Sequence, residues 1–162
     1  MTDIIEPHGG ILCDLLFHGK QGIQLRTESI HLPSLTLNDR QLCDLELLLN
    51  GSFSPLTGFL TQKDYDSVVS DLHLSNGTLW PIPITLDVDN EFSNDISSGD
   101  KIILRDHEGV ALAVMIVSDI WTPNKEDEAM QVYGTQDTVH PAVDYLLNQS
   151  GEVYIGGKLE GL

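Results

Sequence analysis

One stretch of the sequence concentrates carboxylate side chains in the manner of a calcium-binding loop. Residues 87–100 read DVDNEFSNDISSGD, and carboxylate oxygens are the ligands that Ca²⁺ prefers. A calcium loop of the EF-hand type that starts at Asp87 needs glycine at its sixth place and glutamate at its twelfth. This chain has Phe92 and Ser98 there. We therefore interpret the stretch as a solvated turn that follows a strand.

A second stretch has glycines at the spacing of a phosphate-binding loop. In GEVYIGGKL, Gly151 and Gly156 have the separation of a Walker loop, but the next residue is Gly157 rather than lysine. Lys158 is followed by Leu159, and no helix signal follows. The pattern favours a strand or bulge that contains glycine.

The remaining reactive side chains lack the spacing of a catalytic or metal site. No H-x-x-H, H-E-x-x-H or C-x-x-C pattern occurs in the sequence. His8 and His140 precede turn signals and are predicted as turn or cap residues. Ser54 and Thr57 lie in FSPLTG without the G-x-S-x-G elbow of a serine nucleophile, so we interpret them as structural hydroxyls. On residue chemistry alone we assign no catalytic, cofactor-binding or metal-binding residue.

The net charge of the chain limits the classes of partner that it can bind. The 162 residues include 25 acidic and 8 basic ones, for a net charge of −17 and a pI near 4.3. Such a surface repels phosphate backbones and anionic lipids, which predicts no nucleic-acid and no membrane partner. The alternative is that the acidity serves only solubility or salt tolerance. The basic residues are scattered along the chain: Lys20, Arg26, Arg40, Lys63, Lys101, Arg105, Lys125 and Lys158.

Length and the terminal sequence suggest a cytoplasmic protein with one domain, or one domain and a short appendage. The N-terminus MTDIIEPHGG has no basic or long apolar region typical of a secretory signal. No run approaches the roughly 18 apolar residues of a membrane helix. Cys13 and Cys43 have apolar sequence neighbours, and we interpret them as reduced core thiols. A disulfide in an exported protein is the alternative.

The elements that would position these residues begin with an amphipathic helix after Asn38. Asn38 and Gln41 have the spacing of a capping box, and Leu42, Leu45 and Leu49 would form its buried stripe. Gly51 is placed to end the helix in a left-handed conformation. The loop at residues 51–60 is unusually apolar, which we attribute to packing between this helix and the next.

The other elements follow from periodicity and from turn residues. Predicted helices cover residues 10–18, 61–72, 124–134 and 140–149. Predicted strands or extended segments cover residues 29–37, 79–88, 101–106, 110–121 and 151–159, with residues 101–121 as an antiparallel hairpin. Strands in the middle with helices at the edges indicate an α+β fold, a small partly closed β-barrel with flanking helices.

Five blocks of the chain resemble one enzyme family in the same order. They are EPHGG (6–10), RQLCDLELLLNGSFSPLTGF (40–59), NGTLWPIPITLDV (76–88), HPAVDYL (140–146) and YIGGKLEG (154–161). Together they resemble the amino-terminal region of ATP sulfurylase, also called sulfate adenylyltransferase. Ser52 departs from that pattern, because the family has a second glycine there.

The resemblance implies that residues 1–162 are the N-terminal PUA-like domain of such an enzyme. Members of the family transfer adenylyl from MgATP to sulfate, and a following nucleotidyltransferase domain carries the catalytic Gln-x-Arg-Asn-Pro and His-x-x-His motifs. Neither motif is present here, so this chain is expected to be inactive alone. The implied partners are the catalytic domain of the same polypeptide and further subunits of a homo-oligomer.

Two other functions stay open at this point. PUA-like folds elsewhere bind RNA, so a free-standing binding module is possible by fold analogy, although the acidity argues against it. A free-standing scaffold protein is the third hypothesis. The coding sequence beyond Leu162 separates these hypotheses from the first.

Overall fold

The computed structural model describes residues 4–162 and divides them into two compact units. The first unit comprises residues 4–59, 99–117 and 157–162, and the second comprises residues 60–98 and 118–156. Two long strands contribute residues to both units. We describe each unit by itself.

The first unit contains two helices and most of the strands. A short 3-10 turn at His8–Gly10 precedes its regular elements. The helices are α1 (Gly19–Ser29) and α2 (Asp39–Leu49). The strands are β1 (Ser34–Thr36), β2 (Gly58–Phe59), β4 (Lys101–Arg105), the first part of β5 (Ala111–Trp121) and the end of β6 (Val153–Gly161).

These strands follow the order β1-β4-β5-β6-β2. β1 pairs with β4 in parallel, with Leu35 opposite Leu104, and β4 pairs with β5 as the expected antiparallel hairpin. β2 pairs with β6 antiparallel. The predicted mixture of helices and strands is confirmed. The predicted partly closed barrel is not confirmed, because β1 and β2 stand at opposite ends of this strand order.

The second unit contains the other helices around a short strand pair. The helices are α3 (Gln62–Asp71), α4 (Asn90–Asn94), α5 (Lys125–Tyr133) and α6 (Pro141–Asp144), with a π-helical turn at Tyr145–Gln149. Strand β3 (Leu86–Val88) pairs antiparallel with the first residues of β6. In the part of the chain that the structure describes, no helix has the length and apolarity that crossing a bilayer demands.

Each unit buries its own apolar side chains. In the first unit Leu37, Ile102 and Val114 are fully buried, as are Val68, Leu86 and Ile155 in the second. Burial of such side chains stabilises each by roughly 1.5–3 kcal/mol relative to exposure. Three consecutive residues are buried in β4 (102–104) and in β5 (113–115), so both faces of the hairpin are covered there.

Several local predictions are confirmed because their hydrogen bonds close within a few residues. Asn38 Oδ1 accepts a hydrogen bond from the backbone amide of Gln41 at 3.0 Å. Gln41 Oε1 in turn accepts one from the backbone amide of Asn38. The helices predicted at residues 61–72 and 124–134 are confirmed as α3 and α5, and Thr61 and Asn124 accept from amides in their first turns. Pro141 begins α6, within the helix predicted at residues 140–149.

Other local predictions are wrong. Residues 11–18 form no helix, and the helix of this region is instead α1, at Gly19–Ser29, which the sequence reading missed along with α4. The buried stripe of α2 is formed by Leu45 and Leu48, while Leu42 and Leu49 are half-buried. A shift of one residue along a helix turns the buried face by about 100°.

The cysteine interpretation is partly corrected. Both thiols are free, as expected, but Cys43 is exposed rather than in a core. Cys13 is half-buried, and its Sγ lies 3.4 Å from the carbonyl oxygen of Pro55. Cys43 is exposed because the buried face of α2 passes through Leu45 and Leu48.

Candidate functional site

Within the first unit, the apolar loop after α2 is held by its own polar groups. Ser54 Oγ donates to the carbonyl of Gly51 at 2.6 Å and accepts from the amide of Cys13 at 2.9 Å. This hydroxyl is therefore structural, as predicted, and it ties residue 13 to the loop. Leu56 and Phe59 are buried, at 6% and 2% exposure, which confirms that they are packing residues.

At its end, the backbone of this loop packs closely against the backbone of strand β6. Gly58 lies opposite Lys158, and a Cβ added at Gly58 would stand 2.0 Å from the carbonyl oxygen of Gly157. The amide of Leu159 donates to the carbonyl of Thr57 at 3.0 Å. Only glycine fits at position 58 without moving β6, which explains the glycine in FSPLTGF.

The N-terminal segment binds the end of the same strand. The amide of Gly161 donates to the carbonyl of Leu15 at 2.7 Å, and the amide of Phe17 donates to the carbonyl of Gly161 at 3.0 Å. Leu16 thus forms a parallel bridge with Gly161. We call the end of β6 at 157–162, the loop at 51–59 and the segment at 11–17 the β6 junction. It joins residues of three blocks that are far apart in sequence, and it is the candidate functional site.

The second unit contains a buried carboxylate that the sequence reading missed. Glu128 is only 5% exposed, and its Oε2 accepts from the hydroxyl of Tyr65 at 2.8 Å and from that of Tyr154 at 3.2 Å. The rings of Tyr65, Trp121 and Tyr154 lie 5.5–5.8 Å apart, centroid to centroid. A buried carboxylate needs such donors, because an unpaired charge in a core is costly.

Burial raises the pKa of the Tyr65 hydroxyl well above its ordinary value, and the nearby charge of Glu128 raises it further. The phenol therefore remains a hydrogen-bond donor to Glu128 at neutral pH. A tyrosine that must lose a proton to react is disfavoured in this setting. The arrangement holds α3, α5 and β6 of the second unit together rather than activating a nucleophile.

The second unit also has a polar cavity of about 280 Å³ beside this cluster. Asp66 and Asp127 contribute exposed carboxylates to its wall, and Tyr65 and Trp121 contribute aromatic surface. The lining contains no lysine and no arginine. The carboxylates of Asp66 and Asp127 repel a triphosphate or a sulfate, and no lining cation offsets that repulsion, so this cavity does not suit either anion. Its lining residues are Gln62, Tyr65, Asp66, Val69, Ser70, Trp121, Thr122, Pro123, Asn124, Asp127 and Gln131.

Four of the basic side chains are engaged locally. Arg40 pairs with Asp44 at 2.6 Å, and Lys101 lies 3.7 Å from Glu160. Arg105 donates to the carbonyl of Gly109, and Lys125 donates to that of Ser150. Among residues 4–162 no group of three or more His, Cys, Asp or Glu side chains is placed to hold a metal ion.

The calcium-like stretch has a structural explanation. Asp89 caps α4 by accepting from the amide of Phe92 at 2.7 Å. Asp87 is buried and accepts from the amide of Gly151 at 2.7 Å. The stretch therefore contains a short helix and a buried carboxylate, rather than only the solvated turn that the sequence predicted.

The glycines and histidines mostly lie where they were expected. Gly156 and Gly157 are within strand β6, which confirms the strand interpretation. His8 begins the 3-10 turn, and His140 occupies the N-cap position of α6 without a capping side-chain bond. These histidines lie in turn or cap positions, as predicted.

The missed cluster had only a weak signal in the sequence. Glu126, Asp127 and Glu128 read together as the acidic first turn of α5, which a helix dipole favours. Only Glu128 precedes a buried alanine, Ala129, and its partners lie 63 and 26 residues away. A pattern limited to one helix cannot distinguish the buried acid from its exposed neighbours.

Comparison with known proteins places this architecture in a family. Residues 5–162 match the family described as PUA-like domain, and the chain belongs to that family. Curated relatives are sulfate adenylyltransferases, which confirms the resemblance found in the five sequence blocks.

The relatives are much longer than this chain. The sulfate adenylyltransferase of Eremothecium gossypii is 48% identical over 160 residues, covering 98% of this chain and 32% of the relative. The protein of the same name from Candida albicans is 52% identical over 171 residues, again covering 98% and 32%. The chain thus spans about a third of the relatives that it matches.

A solved structure shares the fold across nearly the whole chain. A protein described as hexameric APS kinase from Thiobacillus denitrificans is similar with a TM-score of 0.74 and 33% sequence identity. The similarity covers 98% of this chain and 27% of that one.

Proposed function

We propose that this chain is the N-terminal, non-catalytic domain of a sulfate adenylyltransferase. The observation that carries the proposal is the match itself: 48% identity over 98% of the chain but only 32% of the relative. A chain that matches a third of a long enzyme and lacks the motifs expected of its catalytic domain is typical of a separate supporting domain. The parent protein is then a nucleotidyltransferase of sulfate assimilation that works in the cytoplasm.

The reaction proposed for the parent joins adenylyl from MgATP to sulfate and releases pyrophosphate. Its transition state brings two anions together and must be stabilised by Mg²⁺ and by fixed positive groups. The cavity described in the second unit contains carboxylates and no cation, and Arg40, Lys101, Arg105 and Lys125 are engaged elsewhere. The chemistry is therefore assigned to the rest of the polypeptide.

The role left for this domain is to stabilise the catalytic domain and to dock against it. The net charge of −17 supports a protein partner over nucleic acid or an anionic membrane. Assembly of the parent into a homo-oligomer is part of the proposal, and the hexameric description of the structural neighbour is consistent with it.

A pyrophosphate-release assay tests the inactivity of the chain. Purified residues 1–162 are incubated with MgATP and either sulfate or molybdate, with the full-length Eremothecium gossypii enzyme as positive control. We expect release at the background rate of a sample without protein. Release by residues 1–162 that scales with protein concentration would overturn the assignment.

A further inference from the structure

The N-terminal segment, residues 4–30, exposes more large apolar side chains than the rest of the chain. Of the fourteen such side chains in the described residues, eight lie in this segment, which is about a sixth of the chain. Isolated exposed apolar residues are ordinary, but a concentration of them marks a surface that another protein covers. The eight are Ile4, Ile5, Ile11, Leu12, Leu16, Phe17, Ile23 and Ile30.

Helix α1 shows the same feature in regular structure. Leu25 faces the core at 8% exposure, while Ile23 on another face is 67% exposed. Two residues apart on a helix means about 200° of rotation, so these side chains point to nearly opposite sides. Ile23 therefore adds the outer face of α1 to the exposed apolar surface of this segment.

The charge of this segment differs from that of the whole chain. It contains Glu6, Asp14 and Glu28 against Lys20 and Arg26, a net charge of −1 in a chain of −17. An almost neutral apolar segment suits burial against an apolar protein surface, because few charges lose their water. The rest of the chain is strongly acidic and is less suited to such burial, because many charges would lose their water.

The position of the segment points to one occupant. Leu15 and Phe17 form backbone bonds with Gly161, at the end of β6. In an N-terminal domain of such an enzyme, the polypeptide that continues from β6 starts next to this segment. On the basis of the proposed function, we infer that residues 11–30 form the docking surface for the catalytic domain of the same polypeptide.

Hydrogen exchange of a fusion tests this directly. Residues 1–162 replace the matching third of the Eremothecium gossypii enzyme, and amide exchange is compared between the fusion and the isolated chain. We expect peptides from residues 11–30 to exchange at least about tenfold more slowly in the fusion. Peptides around Val139, which is 85% exposed in the second unit, provide the internal control and are expected to be unchanged.

A pair of variants makes the test specific. Ile11→Ser with Ile23→Ser is compared with Ile82→Ser and Val139→Ser, since all four residues are exposed. Neither pair is expected to change the melting temperature of the isolated chain by more than a degree or two, because surface substitutions cost about 0.5 kcal/mol or less. Only the first pair is expected to restore fast exchange at residues 11–30 in the fusion.

The outcomes separate the inference from the function on which it rests. An active fusion that protects other parts of the domain but not residues 11–30 overturns the docking surface alone. A fusion that protects no part of residues 1–162 overturns the proposed function as well. Protection of residues 11–30 in the isolated chain that grows with its concentration identifies a second copy as the occupant and overturns the inference. If the fusion precipitates, the same exchange comparison is made with the relative's remaining two thirds added as a separate protein.

Discussion

The two units of this chain differ in net charge and in which side chains they bury or expose. Among the described residues, the first unit has ten acidic and six basic side chains, and the second has fourteen acidic and two basic ones. The second unit nevertheless buries a carboxylate, Glu128, beneath two tyrosine hydroxyls. The first unit leaves apolar residues such as Ile11 and Ile23 exposed.

Most of the negative charge therefore lies in the second unit, whereas the exposed apolar residues of the N-terminal segment lie in the first. Like charges on the second unit favour solubility and oppose contact with other acidic surfaces. The first unit keeps its charges nearly balanced where the β6 junction and the N-terminal segment lie. The net charge of −17 is a sum over the chain, and it does not reveal that the N-terminal segment is nearly neutral and apolar.

Phe59→Ala is expected to have the largest effect and would show that the first unit has a real core despite its exposed surface. Phe59 is 2% exposed, and truncation of such a side chain costs roughly 3–5 kcal/mol. Thermal unfolding of the chain followed by circular dichroism measures the loss. Phe53→Ala in the same loop is the control, with a smaller loss because Phe53 is half-buried. An unchanged melting temperature in Phe59→Ala would mean that the loop is not packed.

Tyr65→Phe tests the buried polar cluster of the second unit. The substitution keeps the ring and removes the hydroxyl that lies 2.8 Å from Glu128. A hydrogen bond to a charged group contributes about 1.5–3 kcal/mol, so denaturant unfolding is expected to show a loss of that size. Tyr154→Phe provides a second measure, and the double variant should be non-additive because both hydroxyls serve one carboxylate. Additive losses in the double variant would contradict a shared network.

The same tyrosine predicts how stability changes in alkali. Its pKa is raised in the folded state above the unfolded value of 10.0. The stabilisation is therefore complete below pH 10 and is lost as the pH rises above it, because the unfolded state then releases a proton that the folded state retains. The expected contribution is a decline of about 1.4 kcal/mol per pH unit. Urea unfolding between pH 9 and pH 11 measures the slope, and a Tyr65→Phe slope equal to that of the unmodified chain would contradict the assignment.

The helix caps give the smallest effect and compare the units residue by residue. Asn38→Ala removes one member of a reciprocal capping box in the first unit, at a cost of about 1 kcal/mol. Asn124→Ala in the second unit removes a single bond to the Asp127 amide, at a cost of about 0.5 kcal/mol. Urea midpoints at a constant slope measure both losses. An Asn124→Ala loss larger than that of Asn38→Ala would reverse the predicted order.

Sequence reasoning was accurate where structure depends on near neighbours. The capping box of Asn38 and Gln41 joins residues three positions apart, and the hairpin of β4 and β5 is closed by a short turn in which the amide of Gly109 donates to the carbonyl of Asp106. It failed at residues 11–18, where an apolar run suggested a helix. There the backbone of Leu15 and Phe17 bonds to Gly161 instead.

From its own residues, then, the sequence determined the capped helices, the hairpin, the acidity and the membership in a family. The tertiary structure alone decided that Glu128 is the buried acid of α5, that position 58 must be glycine and that the N-terminal segment pairs with the end of β6. The physical reason is the distance along the chain. Helix caps and turns are stabilised by bonds between close neighbours, whereas these three features depend on partners that only folding brings into contact.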